Sequence, residues 1–205
     1  MIPSTDAPAT GRRSRQRRQR LLAWGAASAV VLAGIVVLIV SISSGNRSGT
    51  LVNGCDIGPA AQCPGSNLAG EDLTGTDLTG ADLHDAKLTG ANLTGADLGG
   101  ANLANAEITG ANLTDTNLAD ATLPYLVSGG ITGVPRGLPN GWTLVNGYLI
   151  GPWANLSGAN LSGADLTTTN LTDSVLTNAV LANASLAGVN LTGADLTDRK
   201  STRLN

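Results

Sequence analysis

Along two long stretches of this chain a hydrophobic residue returns at every fifth position. From Asn67 it reads NLAG EDLTG TDLTG ADLHD AKLTG ANLTG ADLGG ANLAN AEITG ANLTD TNLAD ATL. The centres are Leu68, Leu73, Leu78, Leu83, Leu88, Leu93, Leu98, Leu103, Ile108, Leu113, Leu118 and Leu123. A second run has centres at Leu156, Leu161, Leu166, Leu171, Leu176, Leu181, Leu186, Leu191 and Leu196. Two residues before each centre stands Ala most often, otherwise Ser, Thr or Val, with Glu71 the charged exception; one residue before stands mostly Asp or Asn. A period of five fits neither the period of about 3.6 of a helix nor that of about 2 of a flat strand. It predicts a short extended stretch and a corner, repeated. Within the stretch the centre and the small residue two before it share the inner side, leaving Asp or Asn and the following Thr outside. Gly, Asp or Asn at the fifth place suits a backbone that must bend.

Two other patterns interrupt this period. Leu21 to Ile42, LLAWGAASAVVLAGIVVLIVSI, is a run of 22 residues without a charge. As a helix it would rise roughly 33 Å, enough to span the hydrocarbon core of a bilayer. The second pattern is a string used twice: TLVNGCDIGP at 50–59 and TLVNGYLIGP at 143–152, identical at eight of ten positions. Asn53-Gly54 and Asn146-Gly147 are hairpin signals, because both central residues of a type I′ turn need positive φ. Each copy precedes a run of repeats. A stack of short strands has an unpaired apolar end that must be covered, so each hairpin is read as a cap opening a unit of about ninety residues. The competing reading is a decorated loop, 124–153, within one continuous column.

The tandem A-(D/N)-L-x-x motif resembles the pentapeptide-repeat family over residues 66–123 and 154–197. That resemblance implies an all-β solenoid: a right-handed quadrilateral β-helix with four repeats per coil, here in two runs preceded by one N-terminal transmembrane α-helix. Coils stack at strand spacing, about 4.8 Å, so residues twenty apart become neighbours. Thr74, Thr94 and Thr114 then form one outer ladder, and Asp77 and Asp97 sit in register on another side.

Charge divides the chain. Residues 1–50 hold seven Arg against Asp6, whereas 66–123 hold nine acids against Lys87. The segment GRRSRQRRQR beside the apolar run is a topology determinant, since Arg-rich flanks stay in the cytoplasm; nothing structured or aromatic accompanies it to suggest direct nucleic-acid binding. The repeats are therefore expected outside a bacterial cytoplasmic membrane, on a single-pass anchor. A cleaved signal peptide competes, but its apolar region is shorter and ends in small residues. RRQRLL only faintly resembles a twin-arginine signal, and VNGC at 52–55 a lipoprotein box.

The expected order is a basic cytoplasmic tail (1–20), a transmembrane helix (21–42), a linker with the first hairpin cap (43–65), the first run (66–123), a connector with the second cap (124–153) and the second run (154–197). The last octapeptide, DRKSTRLN at 198–205, brings Arg199, Lys200 and Arg203 into a stretch otherwise free of basic residues. It resembles the translation of a sequencing-adapter oligonucleotide, which implies that the natural chain continues beyond Thr197 with more repeats.

Cys55 and Cys63, with seven residues between them, read as a disulfide stapling the first cap. No metal site is expected, because two thiols lack further ligands and His84 is the single His. Nor is a catalytic or cofactor site: apparent carboxylate pairs follow from the repeat, His84 stands outward between Asp82 and Asp85, and the Gly residues sit at corners with no helix after them. The pattern points to a non-catalytic module that offers ladder surfaces to an unidentified protein or envelope partner. Two alternatives stand beside it. The family includes cytosolic members that look like acidic duplex DNA and act on DNA gyrase, and 66–123 is acidic enough for that; a spacer holding a further C-terminal domain is the other.

Overall fold

A computed structural model describes residues 49–197, together with the backbone of two short strands, β1 (Ser28–Leu32) and β2 (Ile35–Ile39). The basic tail, residues 43–48 of the linker and the last octapeptide lie outside the described residues. Where the 21–42 segment is described it is not the expected transmembrane helix: β1 pairs antiparallel with β2, Ser28 opposite Ile39 and Leu32 opposite Ile35. Six of the ten paired residues are Val or Ile. Such side chains are stiff at χ1 and fit a pleated strand, so a run whose length suits a membrane helix also suits a hairpin. Among the described residues no helix is long and apolar enough to cross a membrane.

From residue 61 onward the chain winds in coils of twenty residues. Parallel bridges join Gln62 to Asp82, Asn67 to Lys87, Asp72 to Asn92 and Asp77 to Asp97, and the same four lines continue upward coil by coil. Leu68 donates its N–H to the carbonyl of Lys87 at 2.7 Å, and Lys87 returns an N–H to Ser66 at 2.9 Å. All twelve centres of the first run, and six of the nine in the second, are buried. Leu186, Leu191 and Leu196, in the last described coil, are half-buried because a neighbour packs on one side only. The Ala partners are equally enclosed, with Ala81, Ala86, Ala91 and Ala96 at 0% exposure. One Leu and one Ala per repeat fill the interior. At four of the five places where Thr or Ser replaces the inward Ala of a run, the hydroxyl donates to a backbone carbonyl, as Thr116 to Leu93 at 2.7 Å and Ser174 to Leu171 at 2.8 Å, whereas the enclosed Ser66 hydroxyl has no partner among the described residues.

The corners explain the fifth residue. In every repeat of the two runs, from Gly65 to Asp120 and from Gly158 to Gly193, that position holds φ between 54° and 71°. Gly enters this left-handed region freely, and Asp and Asn at modest cost. The outward Asp or Asn has a structural task as well. Its Oδ1 accepts the N–H two residues on, as in Thr79 to Asp77 at 3.0 Å and Ala104 to Asn102 at 3.1 Å, closing an Asx turn at those corners.

Stacking does not stop between the runs. Val127 bridges Glu107 below and Asn155 above, so one line of pairing passes through the connector. The period is not abandoned at residue 124 either: Thr132 pairs with Asn112 and Gly137 with Asn117. Here the large and small inward residues trade places. Leu126 and Ile131 fill the small position while Ser128 takes the centre, and all three are buried. Between Val127 and Asn155 the spacing is 28 residues instead of 20, and the surplus builds the hairpin β5 (Thr143–Val145) and β6 (Tyr148–Ile150).

That hairpin caps no free end, which revises the reading of the repeated string. Leu149 packs with the lower coils and Ile150 with the upper ones, both at 0% exposure, and Trp142 touches both groups. Tyr148 packs against the upper coils and its Oη accepts the Asn160 N–H at 3.1 Å, while Ile131 donates its N–H to Gly147 at 3.0 Å. The second copy is thus a wedge inside the column. The first, β3 (Thr50–Val52) and β4 (Cys55–Ile57), covers the bottom coil, with Cys55 and Ile57 buried against Ala61, Cys63 and Leu68. Both turns have positive φ at both central residues: 48° and 86° at Asn53-Gly54, 50° and 76° at Asn146-Gly147.

Wedging leaves no room at Gly151, where a Cβ would land in the indole of Trp142. Gly151→Ala is expected to destabilise the protein by about 1–3 kcal/mol through overpacking; a urea melt matching the unsubstituted chain would show that Trp142 is free to move aside.

Candidate interaction surface

The outer faces carry ordered ladders of polar side chains. On one, the Asn92 amide donates to Asp72 Oδ1 at 3.2 Å and Thr74 Oγ1 at 2.9 Å, and the Asn112 amide donates to Thr94 Oγ1 at 3.0 Å. On a second, Asn102 donates to Asp82 Oδ1 at 3.0 Å and Thr122 to Asn102 Oδ1 at 3.2 Å. On a third, Asn117 donates to Asp97 Oδ1 at 2.9 Å. An amide both donates and accepts, whereas a carboxylate only accepts. Each ladder therefore ends in Asp on the lower coil and continues as Asn or Thr above it.

These contacts stabilise the charged carboxylates. The Thr74 hydroxyl holds Asp72 below its ordinary value of 3.8, and the Thr167 hydroxyl does the same for Asp165. For Asp97 the Gly99 N–H leads, followed by the Asn117 amide, with Arg136 contributing charge. Arg136 reaches Asp97 from two coils away, Nη2 to Oδ2 at 2.9 Å. Such an exposed pair adds little to stability, but it neutralises one of the two carboxylates that stand in register at Asp77 and Asp97.

His84 lies outward with Nδ1 2.7 Å from Asp82 Oδ1 and Nε2 4.0 Å from Asp85 Oδ2. The hydrogen bond to Asp82, with the charges of Asp82 and Asp85, raises its pKa above 6.5. A raised folded-state pKa means that the protonated ring stabilises the fold below pH 6.5, and that this is lost as pH rises through the folded value. For Asp82, lowered first of all by His84, the contribution is present above 3.8 and lost as pH falls through the folded value. Titrating the His84 ring by NMR should give a midpoint above 6.5 that Asp82→Asn moves down; an unmoved midpoint would remove Asp82 as the cause.

Cys55 and Cys63 form a disulfide, Cα to Cα 5.3 Å, between β4 and the first coil. Ala61 and Cys63 take the inward places of a repeat that begins before residue 66. Its centre is Cys where the others are Leu or Ile, which hides it from a search for Leu. Among the described residues no three His, Cys, Asp or Glu converge to hold a metal.

The family model described as pentapeptide repeats (8 copies) matches residues 60–95, 86–123 and 159–198, about half the chain. The chain belongs to the pentapeptide-repeat family. Among solved structures, this pentapeptide-repeat protein is similar to HetL, involved in heterocyst differentiation regulation in the cyanobacterium Nostoc sp. strain PCC 7120. The identity is 27%, over 71% of this chain and 69% of that one, with a TM-score of 0.31. It is also similar to a thylakoid-lumen pentapeptide repeat protein of Arabidopsis thaliana, at 30% identity over 67% and 69%, TM-score 0.24. A third similar structure is QnrB1, a plasmid-mediated fluoroquinolone resistance protein, at 18% identity over 67% and 61%, TM-score 0.35. Among curated protein sequences none matches.

Proposed function

We propose that this chain is a non-catalytic interaction module, a right-handed four-sided column standing outside a bacterial cytoplasmic membrane on a single anchor at 21–42, with its N-terminus inside. The observation that carries the reading is six Arg in residues 11–20 directly before 22 uncharged residues. Arginine is retained on the cytoplasmic side, and the apolar run is long enough to cross. A two-stranded pair such as Ser28–Leu32 and Ile35–Ile39 cannot itself satisfy the outer backbone groups of its strands, whereas in hydrocarbon every such group must be satisfied within the segment. A bilayer therefore favours the helical form of the same residues. The Cys55–Cys63 disulfide adds support, because such bonds persist in oxidising compartments outside the cytoplasm.

The test is topological. A reporter active only outside the cytoplasm, and separately one active only inside, is fused after Asp195 in the intact gene. Activity outside fits the proposal. Activity inside overturns it and moves the acidic column next to cytoplasmic targets, DNA gyrase first among them.

A further inference from the structure

We propose that the corner formed by Tyr125 and Trp153 docks an arginine- or lysine-bearing segment of a partner protein. The inference rests on the column being an interaction module and is independent of which side of a membrane it faces. The two aromatics occupy the same corner on successive coils: the Tyr125 N–H donates to the Trp153 carbonyl at 2.7 Å. Both sit in the left-handed region, with φ 57° and 55°, where the corner below them is Asn105 and the one above is Asp173. A bulky side chain there is a conformational outlier, and strain of that kind collects at binding sites. Core packing does not account for it, since each side chain is 46% exposed. Each follows a proline, in LPYLV and GPWAN. The fixed φ of Pro124 and Pro152 restrains the backbone on its approach to the corner.

Charge selects the occupant. Asp173 lies on the same line of corners directly above Trp153, and Asp85 lies two corners below Tyr125 with Asn105 between, its Oδ2 4.0 Å from His84 Nε2. Over residues 49–197 thirteen Asp and Glu face only Lys87 and Arg136. An exposed pair of rings between carboxylates attracts a cation through the ring faces and the flanking charges together, and guanidinium does so best.

The test uses the full-length chain in detergent micelles and a fluorescent decapeptide of alternating Gly and Arg, read by anisotropy. The control peptide has citrulline, the neutral counterpart, in place of Arg. The wild-type chain is expected to bind the Arg peptide and not the control. Tyr125→Asn and Trp153→Asn should each weaken binding about fivefold or more, with urea melts no less stable than wild type, because Asn is the native corner residue at 105, 178 and 183. Equal binding by the variants would assign the peptide to bulk acidity and overturn the site. Equal binding of the citrulline peptide would overturn the cation. Loss of stability in both variants would make the rings structural and overturn the proposal as well. Reporter fusions decide sidedness separately, so the two failures are distinguishable.

Discussion

Leu98→Ala lowers the stability of the column by about 2–5 kcal/mol, the range for removing a buried Leu that leaves a cavity. Leu98 is 1% exposed in the middle of the first run, with coils packed above and below it. Apart from the exposed Arg136–Asp97 pair, each coil packs on its two neighbours, so stability is close to a sum of coil and interface terms. A cavity in a middle coil weakens both of its interfaces, and the lost Leu has no water to fall back on. Leu196→Ala should cost far less, because that side chain is half-buried and one neighbouring coil meets it. Urea melts of the two variants give the comparison. Equal losses would mean that the middle of the first run is as loosely packed as the last described coil.

Reducing the Cys55–Cys63 bond, or replacing Cys63 by Ser, removes about 2–3 kcal/mol in the chain-entropy account of a loop this short. Both residues are buried, at 3% and 4% exposure. After reduction the thiols can remain as small apolar groups, so the effect is that of the lost link and falls on the lower end of the column. There β3 and β4 cover the bottom coil, and the amide of Leu68 is bonded to Lys87. Hydrogen exchange should therefore accelerate at Gly65 and Leu68 and stay slow at Leu98 and Leu103. Uniform acceleration would show that the hairpin holds the whole column, and no change would show that the cap stands without its staple.

The repeat was legible because every centre meets similar surroundings, so selection for burial writes Leu at twenty of the twenty-one centres and Ile at the other. The hairpins were legible because an Asn-Gly turn requires positive φ at both residues. Their placement was not. Whether a hairpin covers an end or wedges between coils depends on a register of 28 residues from Val127 to Asn155, and no local pattern carries that number. Leu126 and Ser128 hid a repeat by exchanging the large and small positions, which preserves the filled volume and breaks the spelling. The outward Asp and Asn read as solvated residues, and solvation and Asx turns both place a polar side chain outside. The apolar run at 21–42 is ambiguous for a related reason: length speaks for a membrane helix, β-branching for strands, and the surrounding medium decides. Tyr125 and Trp153 are visible in the sequence, but their meeting at one corner exists only through the stack.

The measurement that tests one continuous column most directly is the nuclear Overhauser contact between backbone protons of Tyr125–Val127 and those of Trp153–Asn155. The Tyr125 N–H bonded to Trp153 at 2.7 Å and the Val127 bridge to Asn155 place these protons side by side. The account expects these contacts at the intensity seen between Glu107 and Val127. Their absence, with contacts between residues twenty apart intact within each run, would mean two separate stacks joined by a linker.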